Sequence, residues 1–442
     1  VSTRGALFDP VFGATGVAQQ LSDQAWITAL LDVEAALSCA TAAVGVADGD
    51  HCAAVAAAAA ELSRPGAIDV DALGRAAAAG GNPVIPLVKI LRARVARDGV
   101  PAAVVHPGAT SQDVMDCALM LLVRRAGTLV LADLTRAADS AAHLAAVHRS
   151  TPMVARTLGQ QALPTTFGLL ASSWFTALDA AAVRLDIALS TLPVQFGGAA
   201  GTLAASYPDG MKVSDALADE LGLERRAVPW HTDRVTIAEL ATTFGIVAGA
   251  VSKPATDIVA MASTELSEVS ELVPGGSSTM PHKRNPVAAV TARAAARRAP
   301  ALVATTLSAM DHEFARAAGA WHAEWETVTD LVRSAGGAAH QLSASLTGLQ
   351  VHPEAMARNL DLTGGAILAE RVTAKLSAHT DQAREIVTAA ATSGISLDQD
   401  PTIARYLSPA ELTELLDPAH YLGHATDLVA RALAERPTGE SR

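Results

Sequence analysis

The segment Gly275-Gly276-Ser277-Ser278-Thr279-Met280-Pro281-His282-Lys283-Arg284-Asn285-Pro286 packs hydroxyls, basic side chains and an amide between glycines and prolines. Glycine lets backbone N–H groups come close to a ligand, and consecutive N–H groups around such a turn bind anions. A plain connection between helices would also carry Gly and Pro. It has no use for Ser-Ser, His-Lys-Arg and Asn within a dozen residues, so anion binding is the chemistry this composition favours.

Further residues suit the same kind of ligand. Gly108 to Asp113 stands just before a long helical run, where Thr110 and Ser111 can donate to a carboxylate at the positive end of the helix; the plainer alternative is an N-cap by Ser111 or Asp113. Arg316 carries a fork that fits a carboxylate in two-point fashion, with a surface ion pair as the ordinary alternative. Trp321 and Trp325, one turn apart, read as core. His106 taken alone reads as structural.

These residues must be held by helices. Of the 442 residues, 50% are apolar and only 3% aromatic. Alanine is abundant, and it favours helix where aromatic residues favour strand. Apolar residues recur at three- and four-residue steps over five long stretches: Val114 to Arg149, Thr165 to Leu192, Thr236 to Leu272 (kinked at Pro254), Val287 to Phe314 and Trp321 to Leu349. This periodicity predicts an all-α chain with a central long-helix bundle. Shorter segments broken by turns precede it, and shorter helices follow Val351. The division expected is three helical domains: 1–105, 106–350 and 351–442.

The formal charge of −12 gives no bulk attraction to nucleic acid or to an anionic membrane face. An anionic ligand would need a locally basic site. Cys39, Cys52 and Cys117 form no Cys-x-x-Cys pair, which predicts free thiols, no zinc site and a cytoplasmic protein. The N-terminal residues carry no secretory h-region. Two uncharged stretches, Thr157 to Leu178 and Ile187 to Pro208, are long enough to span a bilayer. Gln160, Gln161, Pro164, Pro193, Gln195 and several glycines interrupt them. They read as segments buried in protein, with neighbours from other subunits.

Gly276 to Pro286 resembles the Gly-Ser-Ser-x-Met-Pro-x-Lys-x-Asn-Pro signature of the fumarase/aspartase superfamily, a mobile loop there. Within that superfamily the chain is similar to the bacterial cycloisomerases that lactonize 3-carboxy-cis,cis-muconate in protocatechuate breakdown. That likeness is carried by Leu7 to Pro10, Gly81 to Val88, Gly108 to Asp113, Gln195 to Thr202, Pro229 to Thr232 and Ala318 to Trp325. The resemblance implies proton transfer at the carbon beside a carboxylate through an enediolate. For lactonization, one carboxylate adds to a double bond and Ser277 delivers the proton to carbon. A serine needs a stabilised alkoxide for such a role, which loop N–H groups and Lys283 could supply. Lys283 and Asn285 match positions that hold the substrate carboxylate and its developing charge, and His106 matches a loop histidine that serves in binding or proton transfer. Thr110, Ser111, Thr157, Gln160, His231, Ser278, Met280 and Arg316 complete the implied contacts to a small anionic polycarboxylate. No metal and no cofactor are implied. The implied assembly is a homotetramer with a twenty-helix core and sites shared between three subunits.

Two departures from the pattern bear on the substrate. Members of the superfamily carry a second-loop histidine at the position of Leu158 or of Gln161; this chain has neither, so that loop supplies no general acid. After His231-Thr232 the cycloisomerase run Gln-Arg-Asp-Arg becomes Asp233-Arg234-Val235-Thr236, with one arginine fewer. The leading expectation is cycloisomerization of 3-carboxy-cis,cis-muconate. The alternative is a β-eliminating lyase on a substituted succinate, adenylosuccinate-like or nitrosuccinate-like, and behind both stands a non-catalytic structural relative.

Overall fold

The computed structural model describes residues 7–276 and 279–435. The chain is all-α, with two small antiparallel pairs of strands as its only sheets among the described residues. The long helices span Ser111–Val147, Phe167–Ser190, Val235–Met261 and Ala320–Thr347; three match stretches of periodic sequence closely, and Val235–Met261 matches one at its start. Val235–Met261 shows why: Ile237, Leu240, Ala241, Phe244, Val247, Ala248 and Val251 are all buried, the three- and four-residue step of one helical face. Pro254 lies inside this helix.

Three expectations about the secondary structure are corrected. The run from Val287 to Phe314 is two helices, Val287–Ala296 and Ala299–Ser308. Pro300 sits at the start of the second, where its missing N–H does no harm, whereas it could not continue the first. The helix from Thr236 ends at Met261, and the chain then enters strand Val269–Glu271, paired with Leu349–Val351. Between the first two long helices runs a hairpin, Pro152–Thr157 against Gln160–Thr166, which the helical reading did not include. Its turn residues, Leu158 (φ 51) and Gly159 (φ 78), are both left-handed. That geometry matches the twist of the flanking strands, but Asn or Asp usually announces it, not Leu.

By compactness the chain forms two units. The first comprises Val1–Asp133, Ala181–Gly249 and Thr291–Gln341. In it, helix Asp23–Ala43 packs on Gly49–Leu62, and a short turn between them brings Cys39 and Cys52 together. Their Cα atoms are 4.9 Å apart and the sulfurs are bonded, so the expectation of free thiols is corrected for this pair. Cys117 is the free thiol; burial pushes its ionisation well above the ordinary range. The second unit comprises Leu134–Ala180, Ala250–Val290 and Leu342–Arg442. Its C-terminal part is a set of short helices around their own core, with Val372, Leu376, Val387, Leu397, Ile403 and Leu412 buried.

Helices Asp23–Ala43 and Val235–Met261 are long and apolar enough to cross a membrane, but 61% and 56% of the respective windows are buried within the protein. The first also carries the buried Glu34.

Candidate active site

In the first unit the site is built on one buried carboxylate. Helix Ser111–Val147 begins after Thr110, and Asp113 reaches back to accept from the Thr110 N–H at 2.9 Å. This is the acidic half of a capping box. The same carboxylate accepts from the N–H groups of Gly197 (3.0 Å) and Gly198 (2.9 Å) and meets His231 Nε2 at 2.6 Å. Asp113 is thus held by three separate segments at once. The approach depends on glycine. Gly108 and Gly198 both have φ +70, and a Cβ on Gly198 would lie 2.8 Å from the Gly108 carbonyl oxygen.

Two cationic side chains stand at this corner. Arg316 Nη1 donates to Thr110 Oγ1 at 3.0 Å, while its buried Nε has no partner among the described residues. Burial pushes Arg316 below the ordinary guanidinium value, against the pull of Asp113 and Asp116. His106 adopts a left-handed backbone (φ 62), and its Nδ1 lies 2.7 Å from Glu34 Oε1. Burial opposes the charged ring, but Glu34 outweighs it and holds His106 above the ordinary histidine value. Ser111 opens the helix, partly exposed. His231 is buried, with Nε2 taken up by Asp113 and its carbonyl by Gln112 Nε2 at 2.8 Å.

One turn beyond Asp113, Asp116 enters a buried ionic cluster. Arg234 donates to Asp116 at 2.9 and 3.1 Å and to Glu324 at 2.6 and 3.0 Å. The guanidinium lies 4.8 Å from the centre of the Trp230 ring, and Trp321 Nε1 donates to Asp116 at 3.2 Å. Burial raises Asp116, but Arg234 prevails and holds it below the ordinary carboxylate value; for Glu324 burial prevails and holds it above. Where the cycloisomerase-like run would place an arginine stands Thr236, and Arg226 donates to its hydroxyl at 2.6 Å.

In the second unit, Thr157 and Gln160 flank the hairpin tip, and both are exposed, as is Leu158. The hairpin is anchored by Arg156, which grips the buried Glu268 at 2.6 and 2.9 Å. Gln161 donates to the Asn359 carbonyl at 3.0 Å. The chain is pinched at either end of the Gly-Ser-Ser segment: Gly275 and Asn285 exchange two backbone hydrogen bonds of 2.9 Å. Lys283 N–H donates to Met280 O at 3.1 Å, and both side chains are exposed. The helix that follows is capped by buried Glu271, which accepts from Ala288 and Ala289 N–H at 3.1 and 2.8 Å. Ser277 and Ser278 lie outside the described residues.

The structure therefore brings Thr110 and Arg316 into contact and ties Thr110 to His231 through Asp113. Glu34, Asp113, Asp116 and Glu324 were not singled out as site residues. Glu34 had a signal: it falls on the apolar stripe of its helix with Ile27, Leu30, Leu31 and Leu37, a position that an acid occupies only with a partner. Among the described residues no group of His, Cys, Asp or Glu is arranged to hold a metal ion.

Comparison with known proteins gives consistent matches. A family model described as lyase matches residues 8–300. The chain is 44% identical to a nitrosuccinate lyase of Streptomyces davaonensis, across 97% of this chain and 94% of that protein. It is 42% identical to a 3-carboxy-cis,cis-muconate cycloisomerase of Pseudomonas aeruginosa, across 97% and 96%. The crystal structure of the 3-carboxy-cis,cis-muconate lactonizing enzyme from Pseudomonas putida superposes with a TM-score of 0.89 at 41% identity, covering 97% of this chain and 98% of that one. At such identity over nearly its full length, the chain belongs to the lyase family of the fumarase/aspartase superfamily and is an enzyme.

Proposed function

We propose that the enzyme cycloisomerizes 3-carboxy-cis,cis-muconate to its carboxymuconolactone. One carboxylate oxygen forms a bond to a carbon of an activated double bond within the same molecule, and the electrons of that double bond move into the carboxylate conjugated with it as an enediolate. Ser277 then delivers a proton to carbon, and Lys283 and Asn285 hold the charge that develops. Arg316, Thr110, Ser111 and His106 bind carboxylates from one side, and Thr157, Gln160, Ser278 and Met280 contribute from the loops.

The second loop carries this reading. Gln161, standing where an acid would be, is tied to the Asn359 carbonyl, and Leu158 at the tip has nothing to titrate. A reaction without an acid there needs an oxygen nucleophile or leaving group already stable as an anion, and a carboxylate with an ordinary value of about 4 is one. Nitrite is another, so elimination from nitrosuccinate is the second reading, favoured by the likeness to the Streptomyces enzyme. Arg226 at Thr236 supports the more highly charged tricarboxylate, since a guanidinium persists where the arginine is missing.

The two readings separate in a direct assay. The purified enzyme should bleach the diene absorbance of 3-carboxymuconate and should release no nitrite from nitrosuccinate. Nitrite release with the muconate untouched would make the enzyme a lyase of substituted succinates.

We infer a homotetramer with sites shared between subunits. The long helices leave apolar side chains exposed on the single chain, Val183 at 42%, Ile187 at 59%, Val235 at 52% and Ile246 at 46% among them. Sedimentation should give a particle near four times 45.2 kDa, and an active monomer would remove this inference.

A further inference from the structure

Glu34 is an acid on an apolar helix face, 0% exposed, and its Oε2 has no partner among the described residues. A carboxylate in that position is tolerated only if something answers its charge. The answer is His106, whose Nδ1 lies 2.7 Å from Oε1. The histidine is itself held in an unfavourable backbone conformation, φ 62, two residues before Gly108, where an added Cβ would clash with Ser206 Oγ. The backbone is constrained on one side of the ring, and Glu34 holds the ring itself at Nδ1. Its side chain keeps 16% exposure, and among the described residues Nε2 makes no hydrogen bond.

We propose that Glu34 is a positioning residue: by holding Nδ1 of His106 it fixes the ring so that the Nε2–H edge is offered to a substrate carboxylate. This rests on the polycarboxylate reading above and adds to it a residue that never touches substrate. With Nδ1–H committed to Glu34, Nε2 is the only nitrogen left to donate, and it donates whenever the ring is charged. Three charged groups act on the ring: Glu34 from helix Asp23–Ala43 and Asp113 from helix Ser111–Val147 favour the cation, and Arg92 from helix Val84–Ala96 opposes it. Glu34 is the only one of the three within hydrogen-bond reach.

Glu34→Gln keeps the shape and removes the charge. His106 should then lose its proton at a lower pH than in the native enzyme. Between the two values, the native ring is charged and the variant ring is neutral; below both, the rings are alike. Glu34→Gln should accordingly lower kcat/KM roughly tenfold or more at pH values between the two, mainly through KM, and the deficit should shrink as pH falls through the variant's lower value. In a His106→Gln background the same substitution should change nothing further. A deficit that is flat with pH, or equal in both backgrounds, would overturn the proposal, since either is what a merely structural acid would give. Kinetics use whichever of carboxymuconate or nitrosuccinate is turned over. The pairing is read separately, without substrate, from the ring nitrogens of His106 in ¹⁵N-histidine-labelled native enzyme. Nδ1 should be protonated, with Nε2 taking up its proton at a higher pH than an ordinary histidine, and an unprotonated Nδ1 would overturn the proposal even if the variant fails to fold or the substrate assignment is wrong.

Discussion

Ser277→Ala should lower turnover by roughly 10²–10⁴-fold, or by more if no other group can take over the proton, while substrate affinity changes little. The reason lies in what the hydroxyl does. A residue that moves a proton on carbon acts in the transition state alone, so its loss appears in kcat. A residue that binds a carboxylate acts in the ground state as well, so its loss appears in both parameters. The most direct measurement is exchange of the carbon-bound proton of the lactone with deuterated water, which isolates the proton step from ring closure. Native enzyme should catalyse the exchange and Ser277→Ala should not. Exchange at the native rate in the variant would transfer the proton-moving role to another group, with His106 the first to examine. The surroundings of the loop fit a part that must be placed accurately: Gly275 and Asn285 clasp its base at 2.9 Å, and Glu271 caps the helix that follows.

The long helices were legible in the sequence because each buries one face at a regular step, and period is the strongest signal a chain carries. The Gly276 to Pro286 segment stood out in the sequence for a different reason, since a helix connection does not need that composition. What escaped reading was set by contacts distant in sequence. Asp113 has the look of an N-cap, and only the folded chain shows Gly197, Gly198 and His231 arriving at the same carboxylate from about 84 to 118 residues away. Glu34 lies 72 residues from His106. The Leu158-Gly159 turn escaped because leucine takes a left-handed conformation there against its preference, and the disulfide because the pairing of Cys39 with Cys52 depends on two helices folding back on each other. Pro300 was the opposite case: its signal was present in the sequence, and the periodicity on either side masked the break.

Arg234→Met should destabilise the protein by about 3–5 kcal/mol at neutral pH, because it leaves Asp116 and Glu324 buried with their charges unanswered. The guanidinium makes five hydrogen bonds to the two carboxylates, and methionine reproduces only the length of its stem. His312, 3.2 Å from Glu324, is the nearest remaining cation when protonated. The deficit should depend on pH in a definite direction. In the native protein Asp116 sits below its unfolded value, so its contribution is present above that value and is lost as pH falls. In the variant both carboxylates would sit above their unfolded values, so the penalty is largest at high pH and shrinks as they take up protons. The Asp116 trend acts only below about pH 4; between pH 8 and pH 5 the gap narrows because the variant's carboxylates, Glu324 raised further than in the native protein, take up protons there. Urea unfolding at pH 8 and at pH 5 should therefore show a larger difference between native and variant at pH 8. A difference independent of pH would mean that Arg234 contributes mainly through packing of its stem beside Trp230. Adding Asp116→Asn and Glu324→Gln to Arg234→Met should restore part of the lost stability if charge is the cause, because the neutral side chains no longer need a buried cation. It should leave the loss unchanged if packing is. Asp116 lies one turn from Asp113 on the same helix, so the charge reading also predicts that the triple variant regains activity along with stability.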